Sequence, residues 1–83
     1  MTTVVRVKAI LRDALQLGAR ANLLTVSSPL LGAMPEFDSM AVVSVLTMIE
    51  DEFGIAVADD EVMADIFENL GTLTAFIDGK LHA

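Results

Sequence analysis

The stretch from Asp38 to Gly54 constrains this chain more than any other. On a wheel of about 100° per residue, Val42, Val45, Leu46, Ile49 and Phe53 share one side, while Met40, Val43, Ser44, Thr47 and Asp51 fall on the opposite or flanking face. Asp38 stands just before the stripe, where a short carboxylate can accept a hydrogen bond from an unpaired backbone N–H and so cap a helix. Ser39 then lies on the first turn, at the positive end of the helix dipole, with its hydroxyl exposed in a field that favours a phosphate. Gly54 ends the helix. Met40 and Val43 are apolar but face away from the core, and beside Ser39 they form a candidate docking patch. Glu50-Asp51-Glu52 places negative charge at the helix end where the dipole disfavours it. That local cost points toward a use beyond stability, although solubility is the simpler explanation.

Such a helix needs other elements to cover its stripe. Thr2 or Thr3 can cap a first helix in which Val4, Val7, Ile10, Leu11, Ala14 and Leu15 recur at helical spacing, closed by Gly18 after Leu17. No period holds from Ala19 to Phe37. This is expected to be an ordered loop, with a short turn at Leu23-Leu24, pinned by Leu23, Leu24, Leu30, Leu31 and Met34. Ile55-Ala56-Val57 has no strand to pair with and reads as a loop segment packed on the core. Asp59-Asp60-Glu61 opens a short third helix carrying Val62, Met63 and Ile66. Asn69 caps a fourth, with Leu70, Leu73, Phe76 and Ile77 on its inner face and Gly79 near its close. The expected fold is all-α: a small four-helix bundle with a long first loop and a short third helix, one domain over residues 1–83. Phe53 is expected in its core, where truncation to Ala costs about 3–5 kcal/mol.

Composition removes several function classes. With 54% hydrophobic residues, one small core can be built without staples, and the chain has no cysteine for a disulfide, a thiolate nucleophile or a cysteine zinc site. Nothing resembles a signal peptide, and the longest uncharged run, Ala21 to Pro35, is broken by prolines, Gly32 and polar residues. A cytoplasmic protein with no membrane span is expected. Residues 36–68 hold ten acids and no base, whereas residues 1–20 hold four bases and one acid. That field repels nucleic acid and steers basic protein surfaces. His82, the only histidine, sits beside the C-terminus, a poor place for a base that must be held rigidly. The acidic clusters fail the calcium-loop pattern: counting from Asp51 or from Asp59, the sixth position is Ala56 or Ala64 and the twelfth Val62 or Leu70. The chain is expected to be neither an enzyme nor a metalloprotein.

Asp38-Ser39-Met40, an apolar helix, Glu50-Asp51-Glu52-Phe53-Gly54-Ile55, further acids, and then Ile66-Phe67-Glu68-Asn69-Leu70 together resemble the acyl carrier protein family. The resemblance covers residues 36–77 well and the first helix in outline. It implies that Ser39 takes 4′-phosphopantetheine from coenzyme A through a phosphodiester, and that Asp38 orients the helix start for the transferase. It further implies that Met40, with Glu50, Asp51 and Glu52, meets partner enzymes: a phosphopantetheinyl transferase, an acyl-loading ligase and acyl-transferring enzymes. Val43, in the docking patch beside Ser39, is expected to join these contacts. The chain would act as a monomer, presenting acyl or aminoacyl thioesters at high effective concentration. Carriers of fatty acid synthesis typically place acids at the second and fifth positions after the serine. Here those positions are Ala41 and Ser44, so a specialised, stand-alone carrier is expected. Phe67-Glu68-Asn69-Leu70 is similar to carriers of peptide and polyketide pathways. The segment from Leu30 to Met40 also looks like carriers encoded with bacterial exopolysaccharide and exosortase systems. The alternative is an acidic helical interaction module that carries no cargo.

Overall fold

The computed structural model describes residues 2–31 and 37–82. Among the described residues, three α-helices, α1 (Thr3–Leu15), α2 (Ser39–Phe53) and α3 (Leu70–Leu81), enclose the core, and three short 3-10 helices, Gly18–Leu23, Asp59–Glu61 and Ala64–Phe67, lie in the connections. The result is the expected small helical bundle. Arg6 in the early turns of α1 reaches Glu52 at the end of α2, and Thr3 Oγ1 donates to Asp78 Oδ1 of α3 at 2.7 Å. The start of α1 therefore meets the ends of both other helices, so α1 runs antiparallel to each.

The core follows the helical stripes. Val7, Ile10, Leu11 and Leu15 of α1 pack with Val45 and Ile49 of α2 and with Leu70, Leu73 and Ile77 of α3. Each such buried side chain contributes about 1.5–3 kcal/mol relative to an exposed one. Val42, Leu46, Ile55 and Phe76 are partly buried around them, and Ile55 packs from a loop, as expected. Phe53 is a correction. It is only half-buried: it packs against the edge of the core, and the Arg6 guanidinium, 4.2 Å from its ring centroid, covers part of what the core leaves open.

Helix starts agree with the sequence. Asp38 Oδ1 accepts from the Ala41 N–H at 2.9 Å, and Asn69 and Thr72 form a reciprocal capping box. Thr2 caps α1 more loosely, its hydroxyl 3.4 Å from the Val5 nitrogen. The two best-defined ends are built alike: Gly54 takes a left-handed conformation after α2, and Gln16 does the same after α1. The helix thus closes earlier than Gly18 implies. The reason is Leu17, whose N–H bonds back to the Arg12 carbonyl at 3.0 Å while its side chain is buried.

Two connections differ from expectation. Leu23 is 79% exposed and Leu31 also faces solvent, so neither pins the first loop; Met34 lies outside the described residues. Leu30 and Leu24 do pack inward, joined by Leu17 and Ala21 around the Gly18–Leu23 turn. Most of the fastening comes from backbone instead. Leu30 and Leu31 donate to the carbonyls of Glu68 and Phe67, and Leu70 and Gly71 donate to those of Ser28 and Val26, a short antiparallel strap around a Pro29–Asn69 bridge. Gly71 permits it: a Cβ there would lie 2.9 Å from the Val26 carbonyl oxygen. The third helix is two 3-10 segments rather than one run. Met63 between them is extended and 60% exposed, while Phe67 at the end of the second is buried. Burying Phe67 and half-burying Val62 and Ile66 takes precedence over continuing a short helix.

Candidate functional site

Ser39 is the first residue of α2, and its side chain is exposed. Three things fix it there. The Asp38 carboxylate holds the Ala41 N–H, the Asp38 carbonyl accepts from Val42 at 3.0 Å, and Phe37 is buried directly before the cap. Phe37 packs on Phe67, ring centroids 5.5 Å apart and planes tilted by 51°. Periodicity gave no hint of Phe37, which ends a stretch without a repeat. The signal present was positional: an apolar residue before an N-cap with another, Val42, on the second turn is the pattern of a hydrophobic staple.

Beyond the Asp38 cap, the outer face of α2 carries no charge for its first two turns. Met40 is 77% and Val43 63% exposed, with Ser44 and Thr47 exposed along the same face. All five residues placed off the core stripe, Asp51 included, are exposed. The acidic end is arranged differently. Glu50 is half-buried and its Oε2 accepts from the Val57 N–H at 2.9 Å, fastening the loop behind α2. Glu52 takes Arg6 through both Nε, at 3.1 Å, and a terminal guanidinium nitrogen, at 2.9 Å, while the Glu52 carbonyl accepts from that same nitrogen. Asp51 stands between them and is exposed. Two surface grooves flank α1, one lined by Arg6, Ile10, Met48, Asp51 and Glu52 and the other by Val5, Lys8, Arg12 and Asn22, and neither includes Ser39.

The local chemistry suits a phosphate ester. The Ser39 and Met40 amides have no intrahelical acceptor, the first turn of α2 carries no acid, and Asp38 is engaged with Ala41. Among the described residues no group of His, Cys, Asp and Glu side chains could hold a metal ion, and no helix is long and apolar enough to cross a membrane. A helical bundle that offers an exposed hydroxyl on a rigid helix start is suited to carrying a group.

Comparison with known proteins agrees. The family model for the phosphopantetheine attachment site matches residues 5–77. The solution NMR structure of a holo acyl carrier protein from Nitrosomonas europaea is similar over 100% of both chains, at 49% identity and a TM-score of 0.92. No curated protein matches. With the family model covering most of its length, the chain belongs to the acyl carrier protein family of phosphopantetheine-binding domains. Its prosthetic group is phosphopantetheine, and the chain is a carrier, not a catalyst.

Proposed function

We propose that Ser39 is the attachment residue, and that the chain presents acyl or aminoacyl groups to the enzymes of a specialised pathway. The observation that carries this reading is an exposed hydroxyl on the first turn of α2, held between the Asp38 cap and the buried Phe37. Ser39 Oγ forms the new P–O ester bond as the pyrophosphate P–O bond of coenzyme A breaks, adenosine 3′,5′-bisphosphate leaves, and the serine proton passes to a base on the transferase. The first-turn amides favour the phosphate charge that results. Once attached, the arm supplies the thiol on which cargo rides as a thioester, so the absence of cysteine costs nothing.

Partner choice follows from the face beside Ser39. Met40 and Val43 offer apolar contact, and Asp51 is the exposed charge of the acidic end, with Glu50 contributing what its bond to Val57 leaves available. Enzymes that dock here, including the transferase, a loading ligase and acyl-transferring enzymes, meet an uncharged helix face between Asp38 and the acids at the end of α2. This supports a specialised role over fatty acid synthesis. The protein acts as a cytoplasmic monomer, and its docking is weak enough for cargo to be handed on. Incubating the apo protein with coenzyme A and a promiscuous phosphopantetheinyl transferase should add one arm by intact mass. Ser39→Ala should add none while keeping its helical signal. A wild type left unmodified by several transferases, or a Ser39→Ala strain with no defect, would favour the acidic interaction module instead.

A further inference from the structure

Between Leu15 and α2 the chain makes a long excursion that dips into the core at Leu17, Ala21 and Leu30, and its last buried residue is Phe37, immediately before Asp38 and Ser39. Its ring meets Phe67, the last residue of the Ala64–Phe67 segment. Phe67 is itself held from the other side, since its carbonyl accepts from Leu31 at 3.0 Å. The start of α2 is thus tied to the segment before α3 by an aromatic pair. By contrast, the cap bonds of Ala41 and Val42 both end on Asp38, whose side chain is exposed and which fixes no tertiary position by itself.

We infer that Phe37 is a positioning residue for Ser39: its contact with Phe67 sets where the Asp38–Ser39 turn is held, and so how well the transferase engages the hydroxyl. The inference deepens the assignment of Ser39 as attachment residue and rests on it. Small displacements of a reacting group lower turnover steeply, so loosening this anchor acts on the modification step as well as on stability. Aromatic pairs of this geometry also contribute beyond their buried area, which is why a leucine cannot fully replace either ring.

The experiment compares Phe37→Leu and Phe67→Leu with Val7→Ala, a core truncation in the early turns of α1, at the end of the bundle away from Ser39. Amide hydrogen exchange is read residue by residue, and transfer from coenzyme A is followed at saturating carrier. Both leucine variants should speed exchange at Ala41 and Val42 by roughly tenfold relative to Ile49, because local opening is released without global unfolding. Their kcat for modification should fall several-fold, and Phe37→Tyr should recover most of it. Val7→Ala should speed all amides together and leave kcat unchanged. If the leucine variants instead raise exchange uniformly, or match the wild-type kcat, Phe37 is only a core residue and the inference is wrong. Failure of the attachment assignment would look different: wild type would itself go unmodified, while the exchange pattern still reported on the anchor.

Discussion

The two ends of α2 solve opposite problems. At the Phe53 end, charge is spent internally: Glu52 grips Arg6, Arg6 covers Phe53, Glu50 holds Val57, and Gly54 turns the chain away. At the Ser39 end the helix surface is uncharged and exposed, fixed from beneath by Phe37 and from the backbone by Asp38. The lesson is that an acidic cluster and a recognition surface are not the same thing. Within Glu50-Asp51-Glu52, two of the three carboxylates also brace the bundle, Glu52 while still exposed, and Asp51 is exposed between them.

The two ends of α2 differ most in their aromatic residues. Phe67→Ala should cost about 3–5 kcal/mol in urea melts, as expected for a buried ring, and can leave a domain of this size unfolded. Phe53→Ala should cost about half as much, ~2 kcal/mol, because one face of that ring is covered by Arg6 rather than by the core. Equal losses would erase the distinction between the two ends. A next pair tests the charges. Asp38→Ala and Arg6→Ala should each remove about 1 kcal/mol, the first through a lost cap and the second through a cation–π contact and a partly exposed ion pair. Only Asp38→Ala should also slow modification of Ser39 in a transferase assay. Asp51→Asn should change stability by less than about 0.5 kcal/mol, while weakening transferase binding more than Glu52→Gln does in titrations at low salt.

The smallest effect lies outside α2. Lys80 donates to both oxygens of Glu61, at 2.8 and 2.9 Å, and the Ala58 N–H donates to one of them. The Lys80 hydrogen bond first, then the Ala58 N–H, holds the folded Glu61 carboxyl below its ordinary value. Stability from this contact is complete above the unfolded carboxylate value of about 4.3 and is lost as pH falls through the lower folded value. Urea melts from pH 7 to pH 3 should therefore show Lys80→Met weakening the protein at neutral pH and converging on wild type in acid.

Where side chains repeat with the helix period, sequence and structure agree closely. The outer face of α2 was legible residue by residue, and so were Leu70, Leu73 and Ile77 of α3, though not the buried Thr74, and the Asp38 and Asn69 caps, because each rests on contacts within one or two turns. The first loop was not legible in the same way. Its strap from Val26 to Leu31 is made by backbone groups that any residue carries, so composition cannot reveal which carbonyls they meet. The break in the third helix had the same origin, with long-range burial of Phe67 overriding a local pattern too short to resist it. Of the candidate site, Ser39, Asp38, Met40 and Val43 stand as local spacing placed them. The internal commitment of Glu50 and Glu52 was hidden, because Val57 and Arg6 lie beyond the reach of a helical wheel.

Gly71 has a consequence for anyone redesigning this domain. Replacing a glycine inside a helix with alanine is an ordinary route to thermostability, worth up to about 1 kcal/mol. At Gly79 nothing stands in the way of an added methyl, and the exchange should raise the melting temperature. At Gly71 the same methyl would wedge against the Val26 carbonyl and prise the connection off α3. A propensity-guided redesign would thus treat two glycines of one helix as equals when one is spare and the other is a hinge pin.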